Sequence, residues 1–203
     1  MAVAQALYEG LDIGNEGTVG LITYMRTDSV TVADVARDEA RAYIRERFGA
    51  QFLPAQPPVY RTRTRNAQEA HEAIRPTAVR REPQAIKQYL NRDQFRLYEL
   101  IWKRFVASQM APAVYDTVAV DIKAGRLAQR LPEGASPAMG EVERWRYLFR
   151  ANGSTLRFAG YLAVYEEAGE EEGTVLPPLL QGEIVDLVRL IPEQHFTQPP
   201  PRY

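Results

Sequence analysis

The sequence predicts an α+β fold in which a mainly helical part, residues 1–112, is followed by a β-rich part, residues 113–203. Apolar residues recur at helical spacing before Pro112, and apolar and polar residues alternate after it, from Thr117 onward. Proline lacks the N–H that a helix interior needs, so Pro112 is a natural boundary. A chain of 203 residues with 45% hydrophobic content is long enough to bury a core in such parts.

The helical part opens with residues 2–9, where apolar residues lie at helical spacing. Because this pattern starts without a cap, we expect the chain to be a fragment of a longer protein. A second helix is predicted from Thr31, which with Asp34 reads as a capping signal, to Gly49, a typical C-terminal stop. The residues between these helices, 18–24, are β-prone and predicted to be strand-like.

Residues 83–110 are predicted to form two helices, the first beginning at Pro83. The second carries an aromatic and aliphatic stripe that we assign to the core: Leu97, Tyr98, Ile101, Trp102, Phe105 and Val106. Further on, alternation predicts a strand over residues 117–123 and a hairpin over residues 144–158 that turns at Asn152-Gly153. Residues 182–191 are predicted to form another apolar strand.

The composition excludes several kinds of site. Without cysteines the chain has no disulfides, thiolate zinc sites or thiol nucleophile, and two distant histidines, His71 and His195, make a histidine metal site unexpected. No apolar run reaches the roughly 20 residues of a membrane span, and the N-terminus lacks a signal-peptide pattern. We therefore expect a soluble, cytoplasmic protein with no membrane partner.

The stretch with the clearest chemistry is Gly20-Leu-Ile-Thr-Tyr-Met-Arg-Thr-Asp-Ser29. In an extended chain Tyr24 and Arg26 share a face. A phenol is a poor nucleophile unless a neighbour favours its anion, and a guanidinium can hold two phosphate oxygens at once. This pairing indicates attack on a phosphodiester, although the spacing alone favours a tyrosine that merely packs at a strand end.

A second informative stretch is Asn66-Ala-Gln-Glu-Ala-His-Glu-Ala-Ile-Arg-Pro-Thr77. It is predicted to form a short helix, capped by Asn66 and limited by Pro76. Gln68, His71 and Arg75 would share one face of it and could contact a phosphate; a residue on a surface helix is the alternative for His71.

Charge offers weaker support for nucleic acid. The net charge is −1, with +3 over residues 1–110 and −4 over residues 111–203. If residues 59–65 are extended, Arg61, Arg63 and Arg65 form a positive stripe, which suits a nucleic-acid backbone and equally a protected edge strand.

Together, the two quoted stretches resemble the two signature motifs of the type IA DNA topoisomerases, and most closely the bacterial topoisomerase I branch. Residues 105–112 and 193–203 are also similar to the family, and the resemblance covers essentially the whole chain except residues 125–143. The family implies that Tyr24 attacks single-stranded DNA to give a 5′-phosphotyrosyl bond, followed by strand passage, resealing and ATP-independent relaxation of negative supercoils. Topoisomerase III and reverse gyrase share this core, and a non-catalytic DNA-binding module or a structural segment are the alternatives.

The resemblance also implies roles for single residues. Tyr24 and Arg26 are expected to be catalytic, with Arg26 holding the scissile phosphate. Asp28 and Ser29 are expected to fix the loop geometry at the DNA rather than to perform chemistry. The residues expected at the DNA are Thr27, Asp28, Ser29, Gln68, His71 and Arg75.

The family's Mg²⁺ is expected in a toprim domain that has no match in this chain, and no metal is expected on these residues. The expected partners are single-stranded and negatively supercoiled DNA, together with the toprim and DNA-groove domains of the same polypeptide. We expect a nucleoid-associated location, and we expect the β-rich part to belong to the arch and hinge of the family fold. The fragment alone is expected not to relax DNA.

Overall fold

The computed structural model describes residues 1–60, 72–126, 145–165 and 175–197. Its helices lie in the first part of the chain, joined by short 3₁₀ turns, and the predicted helix at residues 2–9 is confirmed. The helices are α1 (Ala2–Glu9), α2 (Asp34–Arg47), α3 (Pro83–Ile86) and α4 (Arg92–Ser108). Two very short strands, β1 (Leu11–Asp12) and β2 (Thr18–Val19), pair antiparallel between α1 and α2.

The two long helices begin in different ways. At α4, the Asn91 side chain accepts from the N–H groups of Asp93 and Gln94 at 3.0 and 2.9 Å, and the Gln94 side chain accepts from the Asn91 N–H at 2.9 Å. This capping box fixes where the helix starts. The cap predicted at Thr31 is wrong, because α2 begins after Ala33, and the carbonyl of Thr31 accepts a hydrogen bond from Ala73 instead.

The core lies where α1, α2 and α4 meet the segments around residues 21 and 79. The predicted core stripe of α4 is confirmed: Tyr98, Trp102, Phe105 and Val106 are buried, and Leu97 and Ile101 are partly buried against them. Two side chains of this stripe donate hydrogen bonds to backbone carbonyls. The Tyr98 hydroxyl donates to the carbonyl of Arg81, and Trp102 Nε1 donates to the carbonyl of Val79, each at 2.7 Å. Burial raises the pKa of Tyr98 well above its ordinary value, so the neutral phenol is the donor.

The second part of the chain is a long antiparallel ribbon of β3 (Val114–Arg126) and β4 (Trp145–Phe158). β3 contains the predicted strand 117–123 and extends it at both ends. The hairpin predicted at Asn152-Gly153 is wrong, because these residues pair with Ala119 and Val118 in the middle of the ribbon. Continuous pairing with a long neighbouring strand overrides the local turn signal there.

The strand predicted at residues 182–191 is also wrong. Residues 183–197 form neither helix nor strand, and Ile184 and Val188 are 93% and 92% exposed. A strand needs a neighbour to bond its backbone groups, and none pairs with this segment among the described residues.

The ribbon joins the helical part through a tight backbone contact. The N–H of Ala111 donates to the carbonyl of Phe52, and the N–H of Tyr161 donates to the carbonyl of Ala111. Gly160 lies here at φ 50°, where a Cβ would come within 2.4 Å of the Pro112 oxygen, so only glycine fits. Among the described residues, none of the helices has the length and hydrophobicity of a membrane span.

We predict that Asn91→Ala destabilises the protein by about 1 kcal/mol, because two N–H groups at the start of α4 lose their partner. Urea unfolding followed by circular dichroism measures this loss. Asn91→Ser is the control, since serine can also cap a helix, and it is expected to lose less than half as much. Equal stability of native protein and Asn91→Ala would contradict the assignment of the cap.

Candidate active site

The Tyr24 stretch is held from two sides. On one side, the N–H of Leu21 donates to the carbonyl of Leu7 in α1 at 2.7 Å. A Cβ at Gly20 would lie 2.6 Å from the carbonyl oxygen of Tyr8, so glycine permits this close approach. α1 therefore packs directly against the backbone that leads to Tyr24.

On the other side, residues 20–23 pair antiparallel with residues 75–77, about 50 positions later in the chain. Ile22 bridges Pro76, the N–H of Thr23 donates to the carbonyl of Arg75 at 2.9 Å, and the N–H of Thr77 donates to the carbonyl of Leu21 at 3.0 Å. The two informative stretches of the sequence are thus neighbours in the fold.

This pairing corrects the prediction for the second stretch. Residues 72–76 are not helical, so the described end of the predicted helix is wrong and Arg75 does not lie on a helical face. The bonds to residues 21–23 require an extended backbone here. Asn66, Gln68 and His71 lie outside the described residues, as does the arginine stripe at 61–65.

Tyr24 begins an irregular loop, residues 24–30. Its side chain is 51% exposed, and its ring meets that of Tyr8 edge to face with the centroids 5.4 Å apart. The predicted extended chain through Arg26 is wrong: the Arg26 N–H donates back to the carbonyl of Tyr24 at 2.9 Å, which makes a three-residue turn at Met25. Tyr24 and Arg26 therefore do not lie on the same face of an extended strand.

Arg26 forms an ion pair with Asp28, Nε to Oδ2 at 2.8 Å, and the two side chains are 37% and 30% exposed. Among the described residues, no hydrogen bond is found from the Nη nitrogens of Arg26, and the buried Oδ1 of Asp28 has no partner. The carboxylate therefore orients the guanidinium through one edge, and the other edge can take phosphate oxygens.

The other polar residues of the loop differ in their contacts. Ser29 Oγ accepts from the Thr31 N–H at 3.3 Å, which shapes the end of the loop, whereas Thr27 is exposed. Roles in DNA binding for Thr27, Asp28 and Ser29 stay predictions.

Arg75 is more enclosed, with a side chain that is 13% exposed. It donates to Glu72 through Nε at 2.8 Å and Nη2 at 2.6 Å, and through Nη1 to the carbonyl of Pro76 at 3.1 Å. These bonds brace the segment that pairs with the Tyr24 stretch. Contact between Arg75 and DNA stays a prediction.

The sequence reasoning missed two residues at the base of the loop. Thr23 Oγ1 donates to the carbonyl of Ala73, and the Ala73 N–H donates to the carbonyl of Thr31. Ala73 thus binds the residues that flank the loop on both sides. No local pattern signals a bond between positions 50 residues apart, so the sequence alone could not indicate this contact.

The Mg²⁺ that the resemblance implies has no fitting residues in the described part of the chain, where no group of three or more His, Cys, Asp or Glu side chains is arranged to hold a metal ion. Asp28, the acidic residue of the loop, is already paired with Arg26.

Comparison with known proteins decides the family. A family model described as DNA topoisomerase matches residues 1–203, the whole chain. The chain belongs to the DNA topoisomerase family. The predicted resemblance is confirmed.

Curated relatives and a solved structure agree with this assignment. The chain is 48% identical over 210 aligned residues to DNA topoisomerase 1 of Xylella fastidiosa, and 46% identical over 207 to that of Rickettsia bellii. The alignments cover the whole of this chain but only 23% and 24% of those two proteins, so the chain spans about a quarter of their length. Full-length topoisomerase I from Thermotoga maritima is similar with a TM-score of 0.59 and 37% identity, over 86% of this chain and 25% of that one. The predicted α+β fold class is confirmed.

We predict that Arg75→Lys lowers the free energy of unfolding by about 1–2 kcal/mol, because a lysine cannot keep all three hydrogen bonds of the guanidinium. Urea denaturation of both proteins gives the difference. Arg80→Lys is the matched control: Arg80 pairs with Glu46 on the surface and is 56% exposed, so a much smaller change in the free energy of unfolding is expected. Equal effects of the two variants would argue against the bracing role of Arg75.

Proposed function

We propose that this chain is the part of a type IA DNA topoisomerase that carries the nucleophile, Tyr24. The observation that carries the proposal is the half-exposed Tyr24 at the start of a loop with an arginine two residues on, in a chain whose whole length matches the family. The backbone pairing between the two signature stretches supports it further, since it makes them neighbours in the fold.

The proposed cleavage is a transesterification. The Tyr24 phenol loses its proton and its oxygen attacks the phosphorus of a single-stranded DNA phosphodiester. A bond forms between that oxygen and phosphorus, the bond to the 3′ oxygen breaks, and the 3′ oxygen leaves and is protonated. The DNA 5′ phosphate is then esterified to Tyr24, and the reverse attack by the 3′-hydroxyl reseals the strand without ATP.

Arg26 is proposed to hold the scissile phosphate. Its guanidinium, oriented by Asp28 through Nε, offers its Nη nitrogens to the phosphate oxygens, whose charge grows in the transition state. Before DNA binds, the Asp28 carboxylate partly neutralises the positive charge of the Arg26 guanidinium.

The remaining predicted DNA contacts form the outer part of the proposal. Gln68 and His71, in the second signature, are proposed to contact the same phosphate. Ala73 and Arg75, which follow them in the chain, are hydrogen-bonded to the side chain of Thr23. Thr27, Asp28 and Ser29 are proposed to shape the loop at the DNA, and Arg75 to support this face from below.

Other parts of a longer polypeptide complete the proposed enzyme. The curated relatives are about four times as long as this chain, and we propose that a toprim domain outside it supplies the Mg²⁺ site. The complete protein is proposed to bind single-stranded and negatively supercoiled DNA, to relax it, and to work with the nucleoid in the cytoplasm. This chain alone is proposed to be inactive in relaxation.

A covalent-trapping experiment tests the proposal. The complete polypeptide containing this chain, the chain alone, and the chain mixed with a separate toprim part are each incubated with Mg²⁺ and a labelled single-stranded oligonucleotide. The proposal expects a denaturant-stable adduct from the complete polypeptide and none from the chain alone. Salt-sensitive binding without any adduct would instead indicate a DNA-binding module, and absence of binding a structural segment.

We predict that Tyr24→Phe in the complete polypeptide abolishes the covalent adduct, because the nucleophilic oxygen is gone, while oligonucleotide affinity changes less than about threefold. Denaturing gel electrophoresis and fluorescence anisotropy give the two readouts. Tyr89→Phe is the control, since Tyr89 is 40% exposed and its hydroxyl lies where a Cβ on Gly14 would come within 2.6 Å of it; it is expected to retain the adduct. Adduct formation by Tyr24→Phe would refute the assignment.

We predict that Arg26→Ala slows adduct formation by about 10²- to 10³-fold, the usual loss when one stabilising donor is removed. Loss of one phosphate contact also reduces the salt slope of single-strand binding by about 0.7. Single-turnover cleavage and binding at several salt concentrations measure both. Arg80→Ala, which removes an arginine paired with Glu46, is the control for charge; equal losses in both variants would exclude a specific role for Arg26.

A further inference from the structure

One hydroxyl group ties the residue before Tyr24 to the second signature stretch. Thr23 Oγ1 donates to the carbonyl of Ala73 at 2.7 Å and accepts from the backbone N–H of Arg75 at 2.9 Å. A hydroxyl has one proton and two lone pairs, so it makes both bonds with the right polarity. The carbonyl of Arg75 is 3.5 Å away, so the proton belongs to the shorter contact with Ala73.

Ala73 also holds the far end of the Tyr24 loop. Its N–H donates to the carbonyl of Thr31 at 2.8 Å, while its carbonyl accepts from Thr23. The residues on either side of loop 24–30 are therefore fixed on a single residue of the opposite segment. Tyr24 and Arg26 both belong to this closed loop. The relative position of their side chains therefore depends on the hydrogen bonds that fix the ends of the loop on Ala73.

A second threonine joins the same two segments without reaching the loop. Thr77 Oγ1 donates to the carbonyl of Gly20 at 2.7 Å, at the end of the pairing remote from Tyr24. The same hydroxyl accepts from Nη1 of Arg81 at 3.1 Å, so its loss removes one bond between the same two segments and one bond to Arg81. Thr77 therefore separates support of the pairing in general from support of the loop in particular.

We propose that Thr23 is a positioning residue, whose hydroxyl fixes the base of the loop on residues 73–75 and so places Tyr24 for attack. The inference rests on the proposed role of Tyr24; Thr23 itself does not touch the reacting atoms. Replacing the hydroxyl by a methyl group leaves the Arg75 N–H and the Ala73 carbonyl without this partner. A displacement of about 1 Å at a reacting group lowers a rate by about 10²-fold.

The test compares four variants in the complete polypeptide: Thr23→Val, which keeps the shape, Thr23→Ala, Thr23→Ser, which keeps the hydroxyl, and Thr77→Val. Single-turnover adduct formation on a labelled oligonucleotide is measured with Mg²⁺, and affinity by fluorescence anisotropy. Rates are normalised to the folded fraction from circular dichroism. Thr23→Val and Thr23→Ala are expected to cleave about 10- to 100-fold more slowly with affinity within about threefold, whereas Thr23→Ser and Thr77→Val stay within about threefold of native.

Three results would overturn the inference while leaving the proposed function intact. The first is cleavage by Thr23→Val at the native rate. The second is an equal loss in Thr23→Val and Thr23→Ser, which would assign the effect to packing. The third is an equal loss in Thr23→Val and Thr77→Val, which would assign it to the pairing in general. Absence of an adduct in the native protein would overturn the proposed function and this inference with it.

Discussion

The antiparallel pairing of residues 20–23 with residues 75–77 is the contact on which the site depends. It joins segments about 50 positions apart, and its cost in chain entropy is offset by backbone bonds and by the buried Leu21 and Ile22 beneath it. The core of α1, α2 and α4 supports this pairing from below. The loop carrying Tyr24 is irregular, but the residues at both of its ends are fixed by hydrogen bonds to Ala73. The half-exposed Tyr24 side chain therefore has a defined position.

The surroundings of the two arginines, Arg26 and Arg75, follow from this pairing and from the loop that it closes. Arg26 and Asp28 lie two residues apart in the closed loop and pair at 2.8 Å. The pair is partly exposed, so its contribution to stability is small, and its main effect is to orient the guanidinium. Arg75 is instead enclosed by Glu72 and Pro76. The two arginines thus have different surroundings: Arg26 is partly exposed to solvent, whereas Arg75 is enclosed in the segment that pairs with the Tyr24 stretch.

Much of the helical part could be predicted from the sequence, because its signals are local: the apolar stripe of α4 has the period of the helix that forms. The errors arose where distant contacts override local signals. Asn152-Gly153 lies inside a strand because β3 extends past it, and Arg75 is extended because it pairs with Thr23. The two signature stretches were recognisable from the sequence, whereas the Thr23–Ala73 hydrogen bond was not, since it joins a side chain to a backbone group 50 residues away.

The central claim is that Tyr24 is the residue joined to DNA. The most direct measurement is tandem mass spectrometry of the trapped adduct, after nuclease digestion to a short 5′-phosphorylated remnant and proteolysis of the protein. The tryptic peptide ending at Arg26 contains both Tyr8 and Tyr24, so the fragment ions must localise the added mass. We predict the added mass on Tyr24 alone; an added mass on Tyr8, or on a tyrosine of another peptide, would contradict this assignment.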